Sequence, residues 1–344
     1  MNGVLKNKAS FAVTMLASIF LSFSYATVSD AGERENTCPS KNFSVFLLEF
    51  SAKAETQKRF ALDDLQVMVL KQKGDTEQVE PNITHLSSSA LKFPIIVPIS
   101  SFKEEGIKVV RVDEETLQVV DKRAGDSEIK TYTFKLGECW ALYGIEDWAI
   151  TSENFKPPQK IDMSESESYL FQKAMAYSWL GWAQKYPLTT EIFQASLDNF
   201  VLAASEGNPE ASLAAAGLSL SGMAPKLDEE KLESLYKAAA RTLPAGAEGL
   251  SYVYCYGNDI AGNGPCKDPS RAEQSLIDSA RLGSADGANT VGEYFETGKL
   301  VTKNINRAIA CYQLAAQRGN SDAINNLERI KQREAAIPQP SYCY

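Results

Sequence analysis

Gly283-Ser-Ala-Asp-Gly-Ala288, Gly292-Glu-Tyr-Phe295, Gly298, Asn304, Arg307-Ala-Ile-Ala-Cys-Tyr312 and Ala315-Ala-Gln-Arg-Gly319-Asn320 form one unit of a repeating pattern. Its ending, an aromatic residue three before an Ala-Ala pair with a glycine three after it, recurs upstream. The pairs Ala203-Ala204, Ala239-Ala240, Ser279-Ala280 and Ala315-Ala316 stand 36, 40 and 36 residues apart. Phe200, Tyr236, Leu276 and Tyr312 precede them, and Gly207, Gly283 and Gly319 follow three of them, with Leu243 at the fourth place. The loop Ala261-Gly-Asn-Gly-Pro-Cys266 accounts for the longer middle spacing. A period of this length predicts helix pairs that bury their apolar faces only by stacking on their neighbours.

Alanine and glycine at fixed places let the two helices of a pair approach closely. The pattern resembles a Sel1-like repeat over about residues 165 to 331, most specifically in the last unit. The resemblance is looser in the first unit, where Gly181 and Trp182 stand near the expected places. Tyr252 takes the place of the inter-helix glycine in the middle unit. The resemblance implies an all-α helical-repeat solenoid over 164–335 with an extended binding surface. Glu328, Arg329, Lys331, Arg333 and Glu334 give the last helix the polar face of a cap, and residues 336–344 form a tail.

Upstream the texture changes. Phe43, Phe46, Leu47 and Phe50 recur at helical spacing, so Asn42 to Phe60 reads as one helix. Short segments rich in β-branched and aromatic residues follow: Leu65–Leu70, Ile107–Val112, Thr116–Val120, Lys130–Lys135 and Trp140–Tyr143. Lys130 to Lys135 alternates as a strand with one wet face does. These elements predict an α+β N-terminal domain over 38–155, a helix on a curved antiparallel sheet. The opening helix, Leu91-Lys-Phe-Pro-Ile95 and the closing Tyr132-Thr-Phe-Lys…Trp140-Ala-Leu-Tyr143-Gly-Ile-Glu-Asp147 resemble exported NTF2-like domains, a fold that fixes no activity. Thr151 to Lys160, with Pro157-Pro158, reads as the linker, set at 156–163.

The first residues have the form of a secretory signal. Lys6 and Lys8 precede an apolar run from Phe11 to Phe23, and Ser24-Tyr25-Ala26 offers small residues for cleavage after Ala26. The run is short for a bilayer span. Removal of 1–26 takes away Lys6 and Lys8 and moves the formal charge from −9 to −11. Such a surface disfavours nucleic acid and anionic lipid and favours basic partners. These features predict a periplasmic or secreted chain without stable membrane insertion.

All six cysteines lie beyond the cleavage point, which predicts disulfides in an oxidising compartment. Position favours Cys38–Cys139, Cys255–Cys266 and Cys311–Cys343; the alternative is free thiols serving as small core residues. The absence of a CxxC pair leaves no zinc or redox motif, and no cofactor or metal is expected. His85, in the expected loop Pro81–His85, is the single histidine, and a base needs an orienting partner and a nucleophile. Asp63-Asp64 and Glu104-Glu105 are adjacent carboxylates, which point to opposite faces in a strand. Asn42 and Asn82 head sequons.

No catalytic constellation emerges, so a non-enzymatic role is expected. Aromatic residues dominate interface hot spots. Tyr252 and Tyr256, at i and i+4, lead the candidates for partner binding, with Tyr294, Trp182 and Tyr177 beside them and Tyr254 nearby. Trp179 and Trp182, three apart, read as core against the second helix. The Sel1-like resemblance implies an adaptor for a protein partner, and foremost a periplasmic immunity or inhibitor protein that neutralises a secreted toxic effector. The alternatives are a scaffold or regulator of an envelope complex and a cell-wall-related or small-molecule-binding enzyme.

Overall fold

The computed structural model describes residues 37–156, 168–183, 186, 188–259, 261–333 and 342–344. The expected secretory signal at 1–26 and the expected linker from 157 onward lie outside them. Pro39–Tyr344 is one compact unit, and of Met1–Cys38 only Thr37 and Cys38 are described.

The opening helix is two helices, α1 (Phe43–Ala52) and α2 (Ala54–Arg59), rather than the single one expected. Asn42 caps α1, its side chain accepting the amides of Ser44 and Val45. Lys53 is extended at φ −137°, which breaks the run. The break has a cause outside the helix. Gln57 is fully buried, donates to the Ile96 and Ser51 carbonyls, and accepts from the Ile95 and Ile96 amides. A buried amide with these bonds made is stable, whereas leaving them unmade costs about 1–3 kcal/mol per group.

Six strands follow: β1 (Ala61–Gln72), β2 (Val79–Leu86), β3 (Ile107–Arg111), β4 (Thr116–Asp121), β5 (Lys130–Leu136) and β6 (Trp140–Asp147). Their order is β2-β1-β6-β5-β4-β3. All neighbours are antiparallel except β1 and β6, which run parallel. β2 contains the stretch Pro81–His85, expected as a loop; it pairs only with β1, so its proline sits on a sheet edge. Phe43, Phe46 and Phe50 of α1 lie on one sheet face against Phe134, and Phe43 also meets Trp140 at 4.9 Å. Burial of each such ring contributes up to about 1.5–3 kcal/mol.

The helices that follow form pairs: α3 (Tyr169–Trp182) with α4 (Thr189–Ser205), α5 (Pro209–Leu220) with α6 (Glu229–Ala239), α7 (Pro244–Tyr256) with α8 (Pro269–Arg281), and α9 (Ala285–Thr297) with α10 (Ile305–Gln317). α11 (Ser321–Arg333) closes the stack, and each helix packs on the next. The repeat signature sits at the turns between pairs. After α4, α8 and α10 the chain turns through Gly207, Gly283 and Gly319, each at φ between 92° and 104°. There Asn208, Ser284 and Asn320 donate their amides back to Ala203, Ser279 and Ala315, then cap the next helix. Leu243, at the place lacking glycine, keeps φ at −107°, and Pro244 opens α7 directly.

The eighth residue of each first helix is small and buried: Ala176, Ala216, Ser251 and Gly292. Ser251 rather than Tyr252 therefore answers Gly292 in the middle unit, and Ala176 rather than Gly181 answers it in the first. A Cβ on Gly292 would come within 2.7 Å of the Tyr312 ring, which fills the space between α9 and α10.

The sheet and the first helix pair share a core. Met68, Leu70, Val120, Ile129, Trp148, Ile150 and Phe155 pack with Ala176, Tyr177, Leu180, Ile192 and Ala195. β5 thus has no wet face at Thr131, which pairs with Val120, is fully buried and donates to Glu146. Thr151–Lys156, expected as linker, folds onto β1: Gln72 donates its amide to the Asn154 carbonyl, and Phe155 is buried.

All six cysteines are disulfide-bonded. Cys255–Cys266 clips the loop after α7 and Cys311–Cys343 ties the tail to α10, as expected; Cys38 and Cys139 are each bonded as well. Such bonds suit an oxidising, exported environment. Among the described residues no helix is long and apolar enough to cross a membrane.

Candidate functional site

α7 begins at Pro244, whose fixed φ suits the first turn, and ends at Gly257 with φ 64°. Tyr252 and Tyr256 fall on one face, with ring centroids 5.1 Å apart. The Tyr252 hydroxyl donates to the Asp259 carbonyl at 2.7 Å. Gly262 lies so close to that hydroxyl that a Cβ there would approach to 2.9 Å. The disulfide loop is therefore folded against Tyr252. Tyr294 of α9 joins the group. Burial, and then the neighbouring Tyr256, raise its phenol above the ordinary range. Burial followed by Asp259 does the same at Tyr252. These three tyrosines are half-buried, each with one flank packed and another wet.

The other candidates separate. Tyr177 is 1% exposed. Its hydroxyl accepts the Ile150 amide and lies within hydrogen-bond reach of the Ser127 and Trp148 carbonyls. It is a keystone of the shared core and presents nothing to a partner. Trp179 and Trp182 behave oppositely, at 49% and 52% exposed, so the expectation that they are core is overturned. Trp182 stands edge-on to Phe193 of α4 at 5.7 Å and leaves half its surface open.

A second regularity escaped the sequence reading. Arg271 and Arg307 each lie three residues after the residue that caps their helix, Asp268 or Asn304. Arg271 stacks on Tyr254 at 4.4 Å and Arg307 on Phe295 at 4.0 Å. The shared spacing from the cap was available in the sequence, but the aromatic partners sit on the preceding helix.

The sheet's titratable groups hold structure. Arg123 grips Asp121 through two nitrogens, reaches Glu104, and donates to the Pro98 and Val97 carbonyls. The Ser100 amide and hydroxyl, and then Arg123, lower the Glu104 carboxyl to about 2. Together they pin the segment 97–104 to β4. His85 contacts Asp64 at 3.0 Å on the exposed edge, whereas Asp63 accepts from Ser88. Neighbouring aspartates thus have different partners. Among the described residues no group of three His, Cys, Asp or Glu side chains is placed to hold a metal.

No family model matches the chain, and no curated protein does. Several solved structures do. One is c5321, a protective antigen of uropathogenic Escherichia coli displaying an SLR fold, at 27% identity over 46% of this chain, TM-score 0.37. Another is a Sel1 repeat protein from Oxalobacter formigenes, at 21% identity over 45% of this chain, TM-score 0.36. A third is Helicobacter pylori cysteine rich protein B, at 22% identity over 40% of this chain and 96% of its own, TM-score 0.31. The match spans 34% of the first of these chains and 62% of the second. The turns and small-residue positions described above carry the Sel1-like pattern in this chain's own helix pairs. The likeness of the N-terminal domain to NTF2-like domains rests on sequence alone.

Proposed function

We propose that this chain is an exported repeat protein that holds a protein partner, and that it serves as an immunity or inhibitor protein neutralising a secreted toxic effector. The observation that carries the reading is the half-buried face of Tyr252, Tyr256 and Tyr294 on neighbouring helix pairs. Rings already packed on one flank lose little freedom on binding, and their hydroxyl edges suit an interface core. The exposed Trp182 offers a further anchor. The acidic balance of the chain favours a basic partner and speeds its capture. Inhibition then needs only that the bound partner's active surface be covered.

The test is capture from periplasmic extract by the mature protein, followed by an activity assay of whatever is retained. A stoichiometric toxic hydrolase, silenced on binding, supports the proposal. Tyr252→Ala with Tyr256→Ala is expected to weaken that complex by about 2–4 kcal/mol, some thirty-fold to a thousand-fold in Kd. Retention of envelope components with no inhibited enzyme among them defeats the immunity reading in favour of a scaffold. Undiminished capture by the double variant moves the surface elsewhere.

A further inference from the structure

The ninth residue of each first helix follows its small buried one: Tyr177 in α3, Gly217 in α5, Tyr252 in α7 and Glu293 in α9. Equivalent places in stacked units fall on one side of the stack. The sheet covers that side at its start, where Tyr177 is buried in the shared core. Beyond the sheet the row is open. Gly217 is exposed, and a Cβ there would meet nothing within 4 Å. Tyr252 is half-buried and Glu293 is exposed. Three successive first helices thus present a gap, a ring and a carboxylate.

The charges beside these rings are of one sign. Asp259, whose carbonyl receives the Tyr252 hydroxyl, accepts the Ala261 amide on its carboxylate. Glu293 accepts from the Asn289 side chain at 2.9 Å. Among the described residues neither carboxylate pairs with a lysine or an arginine. The charged groups that act on the Tyr252 and Tyr294 phenols are Asp259 and Glu293, with no cation among them. The nearby arginines are committed elsewhere, Arg271 to Asp268 and the Tyr254 ring, Arg329 to Glu296. A ring face with carboxylates at its margin attracts a cation. A guanidinium suits it best, because one flat group both stacks on a ring and donates to a carboxylate.

We infer that this row is the seat of an arginine side chain presented by the partner protein. Its guanidinium stacks on Tyr252 and pairs with Glu293, and the gap at Gly217 admits the chain that carries it. Glycine weakens α5 relative to alanine, and the seat gives the missing side chain a use. The inference rests on the reading that the tyrosine face receives a protein, and it adds what that protein presents there.

The probe is the peptide acetyl-Gly-Arg-Gly-amide, titrated into the oxidised chain by calorimetry at low salt. Its counterpart carries citrulline, which keeps the shape and removes the charge. Saturable binding is expected for arginine, weakened about tenfold or more for citrulline and about fivefold or more by Tyr252→Leu or Glu293→Gln. Gly217→Arg gains helix propensity and fills the gap with the chain's own guanidinium, so it is expected to abolish peptide binding in a chain that folds. Circular dichroism checks the fold of each variant. Absence of saturable binding, or equal binding of the two peptides, overturns the cationic ligand. Undiminished binding by Tyr252→Leu with Glu293→Gln assigns the attraction to the chain's overall acidity and overturns the seat. The two readings fail separately: peptide binding with no enzyme silenced leaves the seat and defeats immunity, whereas a silenced enzyme held equally well by Gly217→Arg defeats the seat alone.

Discussion

Tyr177→Phe removes one oxygen from the core shared by the sheet and the first helix pair. Phenylalanine keeps the ring, so no cavity opens and the change isolates the hydrogen bonds. The lost hydroxyl leaves the Ile150 amide without its 2.9 Å acceptor, and a carbonyl of Ser127 or Trp148 without its donor. Tyr177 and Ile150 are each 1% exposed, so water does not replace the oxygen. One unpaired buried amide costs about 1–3 kcal/mol, and the loss of the donated bond adds about 0.5–1.5 kcal/mol. The expected destabilisation is therefore about 1.5–4.5 kcal/mol. It is measured by urea unfolding followed at two probes, far-ultraviolet dichroism for the helices and tryptophan fluorescence. Because the core is common to both parts, both signals shift together and by the same free energy. A shift below about 0.5 kcal/mol, or one confined to the helical signal, refutes the idea that this hydroxyl joins the sheet to the solenoid.

The remaining predictions concern the repeats and the pinned segment. Gly292→Ala gains about 1 kcal/mol of helix propensity but drives a methyl group to within 2.7 Å of the fully buried Tyr312 ring; overpacking of about 1–3 kcal/mol wins, and thermal unfolding is expected at lower temperature. Cys311→Ser with Cys343→Ser removes a crosslink spanning 32 residues, which the chain-entropy account values at about 3–4 kcal/mol; denaturant titration against the parent under oxidising conditions checks it. Glu104 titrates at about 2 in the folded chain against an ordinary 4.5, so its contribution is fully present above pH 4.5 and is lost as pH falls toward 2. Glu104→Gln should remove that part of the acid dependence while leaving the rest of the profile in place, as read from acid unfolding curves of the two proteins.

Much of the solenoid was legible because its determinants are local. The spacing of Ala203, Ala239, Ser279 and Ala315 records where second helices end, and a glycine three residues past three of the four pairs marks a turn that needs positive φ. Even the exception was readable, since Leu243 excludes that turn and Pro244 restarts the chain. The disulfides Cys255–Cys266 and Cys311–Cys343 followed from position along the chain. The pairing of Tyr252 with Tyr256 was equally local, because i and i+4 on a helix meet, whereas Tyr294 joins them from α9.

What the sequence left open depends on what each face meets. The break at Lys53 serves Gln57, whose partners Ile95 and Ile96 lie 38 and 39 residues away. The parallel pairing of β1 with β6 joins the first strand to the last, and no local pattern records such a pairing. Tyr177 and Trp182 both sit on α3 as large aromatic residues, and periodicity ranks them alike. By itself the sequence determined the period of the repeats, the places of their turns and the spacing of the disulfide clips. The tertiary structure alone decided that the sheet lays its second face on α3 and α4. That contact buries Tyr177 completely and leaves Trp182 half in water, because burial belongs to pairs of surfaces and one strand of sequence describes only one of them.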